Sequence, residues 1–167
     1  MLSKTIEQAL NDQIALEAQS SFTYLGMASW ADVNGYTNSA QFLYAQSAEE
    51  RDHMLRLFNY INDAGGHALA PNFTVTNDDH SSLEDLFKET LKNEQRVTES
   101  INNLVDICLN EKDHSTHNFL QWYVAEQHEE EKSFRSILDL FKIIGTDGKG
   151  LYHIDKEIGG RIGGDQE

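Results

Sequence analysis

Residues 119–134 read FLQWYVAEQHEEEKSF. At about 100° per residue, Leu120, Tyr123, Gln127, Glu130 and Phe134 fall on one stripe, which Ile137 and Phe141 continue. Such a stripe is the packed seam of an amphipathic helix. Here a glutamine and a glutamate interrupt it near the middle. Glu126 flanks the seam, Glu129 points well away from it, and His128 and Lys132 lie on other faces. On periodicity alone, Glu126 and Glu129 read equally well as surface acids.

Three earlier segments repeat the pattern. The first runs Leu10, Ile14, Glu17, Ser21, Tyr24, Ala28, Ala31. The second runs Leu43, Ser47, Glu50, Met54, Leu57, Ile61, Ala64, and the third Leu83, Phe87, Thr90, Glu94, Val97, Ile101, Leu104, Cys108. Each stripe carries a carboxylate near the midpoint of its own helix. Height in a bundle is set by distance from the midpoint, whichever way a helix points. Glu17, Glu50, Glu94 and Glu130 should therefore meet at one level in the core.

The punctuation between the stripes sets the topology. Asn34-Gly35 reads as a helix stop and a tight turn, and Asn38 with Gln41 as a capping-box variant opening the second helix. Gly65-Gly66 closes that helix, and Ser81 with Glu84 caps the third. Asn110 to His114 turns the chain, with Ser115 as the cap of the fourth helix and Gly145 as its end. Leu151 to Ile158 forms a short fifth helix before a glycine-rich, flexible tail. The segment around the single proline, Pro71, is roughly 15 residues long and reaches about 50 Å when extended. A helix of about 28 residues is about 42 Å long. The connection can cross the bundle and leave helices two and three parallel, while the short connections force antiparallel pairs. The expectation is one all-α domain over residues 1–167: a four-helix bundle at about 5–144 with one long crossover, and a short fifth helix at about 150–159.

Composition narrows the function. The net charge of −15 disfavours nucleic acid or anionic membrane as partners and favours cations. No apolar run is long enough to span a membrane. A single cysteine, Cys108, suits a reducing compartment, and the opening MLSKTIEQAL has no secretory pattern. A cytoplasmic protein is expected.

Withdrawing one ionised carboxylate from water costs several kcal/mol. Four that converge also repel one another, and a fold of about 5–15 kcal/mol stability needs compensation. The stripes contain no Arg or Lys to provide it, so bound cations are the economical answer. His53 lies three residues after Glu50 and projects from the same side. Oxygen-rich ligands with imidazole and no thiolate suit iron or manganese better than structural zinc. Two ions are expected, with Glu50 as the bridge.

At these residues the chain resembles the ferritins, specifically the prokaryotic non-haem type. The resemblance covers nearly the whole sequence. It rests on Glu17, the run Glu50-Arg51-Asp52-His53, Glu94, residues 119–134 and the late GLYHIDKE at 150–157. The ferritin-like di-iron bundle is itself a standard example of a metal site built on facing helices. The resemblance implies a ferroxidase centre with one iron on Glu17, Glu50 and His53 and a second on Glu50, Glu94 and Glu130, with Gln127 beside the pair as a further metal-binding residue. It implies a third iron position at Glu49, Glu126 and Glu129, with Glu130 near both. Tyr24 would supply an electron or a hydrogen bond. It further implies a hollow homo-oligomeric shell of 24 subunits whose four-fold contacts the fifth helix helps close. Fe(II) and either O₂ or peroxide would be the substrates and a ferric oxyhydroxide mineral the stored product.

Departures from a neighbouring group sharpen this. Bacterioferritins place a second Glu-x-x-His on the fourth helix, where this chain reads Gln127-x-x-Glu130. Their haem-ligating Met corresponds to Arg51, so no haem is expected. The Gln predicts a second iron held less tightly than the first. Two other readings stand beside iron storage with oxidation: a di-iron oxidase or peroxidase in a small assembly, and a non-catalytic iron-binding shell subunit.

Overall fold

Ser3 starts the first helix, its hydroxyl accepting from the Ile6 amide at 3.1 Å. The computed structural model describes residues 2–75 and 79–162. Its elements are α1 (Lys4–Val33), α2 (Thr37–Asp63), α3 (Leu83–Glu111), α4 (His114–Ile144) and α5 (Gly148–Gly159). No strand occurs among the described residues. The tail expected after the fifth helix falls on residues 163–167, outside the described residues.

α1 packs on α2, α3 on α4 and α1 on α3. The turn after α1 places Gly35 at φ +86°, a conformation glycine adopts without strain. The described residues of the crossover between α2 and α3 are spaced along the length of α1. Asn11 bonds the backbone of His67 and Leu69, Gln19 bonds Thr74, and Trp30 bonds Asp79. That path leaves α2 and α3 parallel, and the rings of Phe42 and Phe87, both near helix starts, meet at 6.3 Å.

Three expected caps are corrected. Asn38 and Gln41 form no capping box: α2 begins at Thr37 with no side-chain cap of its own. Its free amides are bound instead by Asp155 of α5. That carboxylate accepts from the Ser39 amide at 2.8 Å, the Ser39 hydroxyl at 2.7 Å, and the Asn38 side chain at 2.9 Å. The cap of α3 is Ser82, accepting from Asp85, rather than Ser81 with Glu84; Ser81 bonds the Asp85 side chain instead. The cap of α4 is Asp113, accepting from Thr116, and Ser115 lies inside the helix. In α3 and α4 a residue with the right chemistry sits near the one named, and backbone geometry selects between them; in α2 the cap comes from a residue remote in sequence.

The interior has two apolar halves. One gathers Tyr24, Phe42, Phe87, Phe134 and Phe141 with Ile154 and Ile158 of α5. The other gathers Leu10, Ile14, Leu57, Ile61, Val97, Ile101 and Leu120. Between them, at mid-bundle, lies a polar layer.

Candidate metal centre

Glu17, Glu50 and Glu94 are each at most 1% exposed, and Glu130 is 6% exposed. Each lies on the core side of a different helix, and no Lys or Arg is buried among the described residues. The α2 seam does not follow the expected Ser47 and Met54, which are half-buried. It passes through Gln46 and His53, both buried. The histidine is thereby part of the packed face rather than beside it.

Glu17, Glu50 and His53 form a tight group, their ligand atoms all within 4.8 Å of one another. His53 Nδ1 is 3.5 Å from Glu50 Oε2. One oxygen of Glu17 accepts from the Gln13 amide at 2.8 Å. Its other oxygen, and Oε2 of Glu50, are buried without a hydrogen-bond partner. Buried polar atoms are almost always paired, so two unpaired carboxylate oxygens facing an imidazole are what a cation would satisfy. Burial is the main reason the Glu50 carboxyl is pushed well above its usual pKa, followed by the charges of Glu94 and Glu17.

Glu94 differs. Tyr24 donates to its Oε1, and the Gln127 amide donates to its Oε2 at 3.1 Å and to its backbone carbonyl at 3.2 Å. Burial raises its pKa to about 7, against the lowering effect of the bonds from Tyr24 and Gln127. Gln127 also donates to the Thr98 hydroxyl at 3.3 Å, which donates to Glu131 at 2.8 Å. Gln127 thus faces Glu94 with its amide nitrogen, which has no lone pair to offer a metal. Burial, together with the charges of Glu94 and Glu50, holds the Tyr24 hydroxyl protonated far above its ordinary range. Asn93 donates to that hydroxyl at 3.0 Å and accepts from Arg96 at 2.9 Å.

A second group brings Glu49, His53 and Glu126 within the same 4.8 Å span. Glu49 accepts from Gln46 at 2.8 Å. Glu129 is not drawn into it: its side chain is 64% exposed and lies 3.6 Å from Lys132. Tyr123 donates to the His53 carbonyl at 2.7 Å, and Trp122 packs edge-on to the His53 ring at 5.3 Å.

Residues around these carboxylates escaped the sequence reading. Gln13 had a signal, its i, i+4 spacing to Glu17 on one helix face. Asn93, Thr98, Ser100 and Glu131 had none, since the bonds that tie them to this layer cross to other helices.

Residues 7–144 match the ferritin-like domain family. A probable bacterial non-heme ferritin-like protein of Haemophilus influenzae is 46% identical over 159 residues, spanning 95% of this chain and 96% of its own. A bacterial non-heme ferritin of Campylobacter jejuni is 44% identical over 158 residues, 95% of each chain. Among solved structures, the open-pore ferritin of Archaeoglobus fulgidus superposes with a TM-score of 0.91 at 36% identity, covering 95% of this chain and 98% of that one.

Proposed function

The chain belongs to the ferritin family and is an iron-storage protein, and we propose that it loads its iron as a ferroxidase. The observation that carries this reading is the pair of unpartnered buried oxygens on Glu17 and Glu50 beside His53. The Glu17 and Glu50 carboxyls also lie close enough to share a proton, which a cation arriving between them would displace.

In this reading one Fe(II) is held by Glu17, Glu50 and His53. A second is held by Glu50, Glu94 and Glu130, so that Glu50 bridges. Two Fe(II) supply the two electrons that reduce O₂, with two protons, to peroxide. The protein fixes the metals in a dry site and leaves coordination positions open. Gln127 holds Glu94 in place rather than serving as a ligand. Tyr24 holds the other Glu94 oxygen and is the nearest candidate for a further electron. A third iron position at Glu49 and Glu126 would take Glu129 only after that side chain leaves Lys132. Arg51 leaves no haem ligand at the bacterioferritin position.

The assembly is proposed to be a homo-oligomeric shell of 24 subunits in the cytoplasm. No helix among the described residues is long and apolar enough to cross a membrane. Two measurements test the reading. Metal-free protein mixed with Fe(II) in air should develop ferric absorbance, and a Glu50→Ala/His53→Ala variant should lose the fast phase. Equal rates in the two refute the centre. In the ultracentrifuge, 24 chains of 19.0 kDa should sediment as a particle of about half a megadalton; a dimer refutes the shell.

A further inference from the structure

Gln13 stands one turn before Glu17 on α1 and is fully buried. Its amide nitrogen donates to Glu17 Oε1 at 2.8 Å. Its carbonyl oxygen accepts from the Ser100 hydroxyl of α3 at 2.5 Å. These two bonds fix which way round the amide sits. An ionised carboxylate only accepts, so the nitrogen faces Glu17, and the Ser100 hydroxyl holds the oxygen. Reversing the amide would set its oxygen against the carboxylate. The consequence falls on Glu17: Oε1 is engaged, and Oε2 is the buried oxygen without a donor, on a carboxylate that groups with Glu50 and His53.

From this geometry we infer that Gln13, locked by Ser100, is a positioning residue that makes Glu17 a one-oxygen ligand of the first metal. The inference rests on the proposed role of Glu17 as a ligand. A carboxylate free at both oxygens can swing to chelate one ion and close a coordination position that O₂ needs. A neutral amide on one oxygen prevents this while leaving the carboxylate its charge. Such outer partners govern ligand orientation at many metal sites. The arrangement also crosses the bundle, because Ser100 and Gln13 belong to helices that pack directly together.

The test is an anaerobic titration of the metal-free protein with Co(II), whose visible absorption reports coordination without redox chemistry. Gln13→Leu should weaken the first equivalent about 10- to 100-fold and lower its band intensity, as the second Glu17 oxygen enters the coordination sphere. Ser100→Ala should shift both readings the same way by less, and Ser100→Thr, which retains the hydroxyl, should restore both. If Gln13→Leu does not fold, the Ser100 pair carries the test. Wild-type affinity and spectrum in Gln13→Leu and Ser100→Ala, with loss of the first Co(II) in Glu17→Ala, overturn the inference alone. Retention of the first Co(II) by Glu17→Ala overturns the ligand assignment and this inference with it.

Discussion

Gln127 of α4 donates its amide to Oε2 of Glu94 on α3 at 3.1 Å. Tyr24 takes the other oxygen of that carboxylate, so Glu94 is engaged on both sides. Glu17, its counterpart on α1, is engaged on one side only. The centre is therefore unequal before any metal arrives. One half presents a free oxygen, and the other must first give up a hydrogen bond.

The inequality predicts stepwise binding. Exchanging a hydrogen bond for a metal bond at Glu94 subtracts about 1–3 kcal/mol from the second event, roughly a 5- to 150-fold weaker site. Anaerobic titration of the metal-free protein with Fe(II) should resolve two steps. Tyr24→Phe frees Oε1 and should bring the second step closer to the first. Two irons of equal affinity in the wild type would remove the basis for this reading.

Proton release follows from the raised carboxyl groups. Glu94 titrates near 7 and Glu50 is raised well above its usual value, both chiefly by burial. At pH 6 the metal-free centre holds protons that an arriving cation must displace. Fe(II) binding should release protons, and affinity should fall as pH drops below about 7. Calorimetry at pH 6 in buffers of different ionisation enthalpy measures the release directly. Binding heats independent of the buffer would contradict it.

The same shifts give the metal-free protein an unusual pH profile. A carboxyl whose folded pKa lies above its unfolded value adds stability below the unfolded value and loses it as pH rises through the folded one. For Glu94 that window runs from the ordinary 4.5 to about 7. The metal-free Tm should fall across this range, and a redox-inert divalent cation such as Zn(II) should reverse the trend at pH 7. Glu94→Gln should flatten the decline. A metal-free Tm that rises steadily from pH 5 to 7 would count against buried, protonated carboxyls.

α5 offers a test away from the centre. Asp155 binds both the Ser39 amide and its hydroxyl, along with the Asn38 side chain, at a helix start that has no side-chain cap of its own. Asp155→Ala removes the cap and leaves buried donors unpaired, a loss of about 2–4 kcal/mol. Gly159 lies so close that an added Cβ would stand 2.6 Å from Asn38 Oδ1, so Gly159→Ala should also loosen the contact. Hydrogen exchange should quicken in α5 and in the first turn of α2, and leave α3 unchanged. Quickening throughout the bundle would mean that α5 is not a separable clamp.

Most of this architecture is legible in the sequence because it rests on periodicity. Every stripe residue assigned to α1, α3 and α4 is buried. The α2 stripe slips because hydropathy favours Met54 over His53 and Ser47 over Gln46, whereas the structure buries the polar members of each pair. A helix that supplies ligands turns polar groups inward, and a pattern built on hydrophobicity misses that. Asp155 illustrates a second limit: its partners, Asn38 and Ser39, are remote in sequence and have their own plausible local roles. The part Gln127 plays depends on which way its amide faces, and Glu94 and Thr98 set that from another helix.

The last prediction concerns what the centre does to the fold. Glu50 is buried, strained by its neighbours' charge and left with an unpartnered oxygen. Glu50→Gln keeps the shape, removes the ionisable carboxyl and supplies an amide donor to Glu17 or Glu94. Burial and the charges of Glu94 and Glu17 already press that carboxyl toward its protonated form, so near neutral pH Glu50→Gln should change the metal-free Tm little, and should raise it only at a pH where the carboxyl ionises. The same change removes the bridging ligand, so fast Fe(II) oxidation should be lost, and added Zn(II) should no longer raise the Tm as it does in the wild type. Thermal unfolding with and without Zn(II) reads both effects in one experiment. A Glu50→Gln protein whose Tm rises with Zn(II) as much as the wild type's would show that Glu50 is not a ligand of the bound cation.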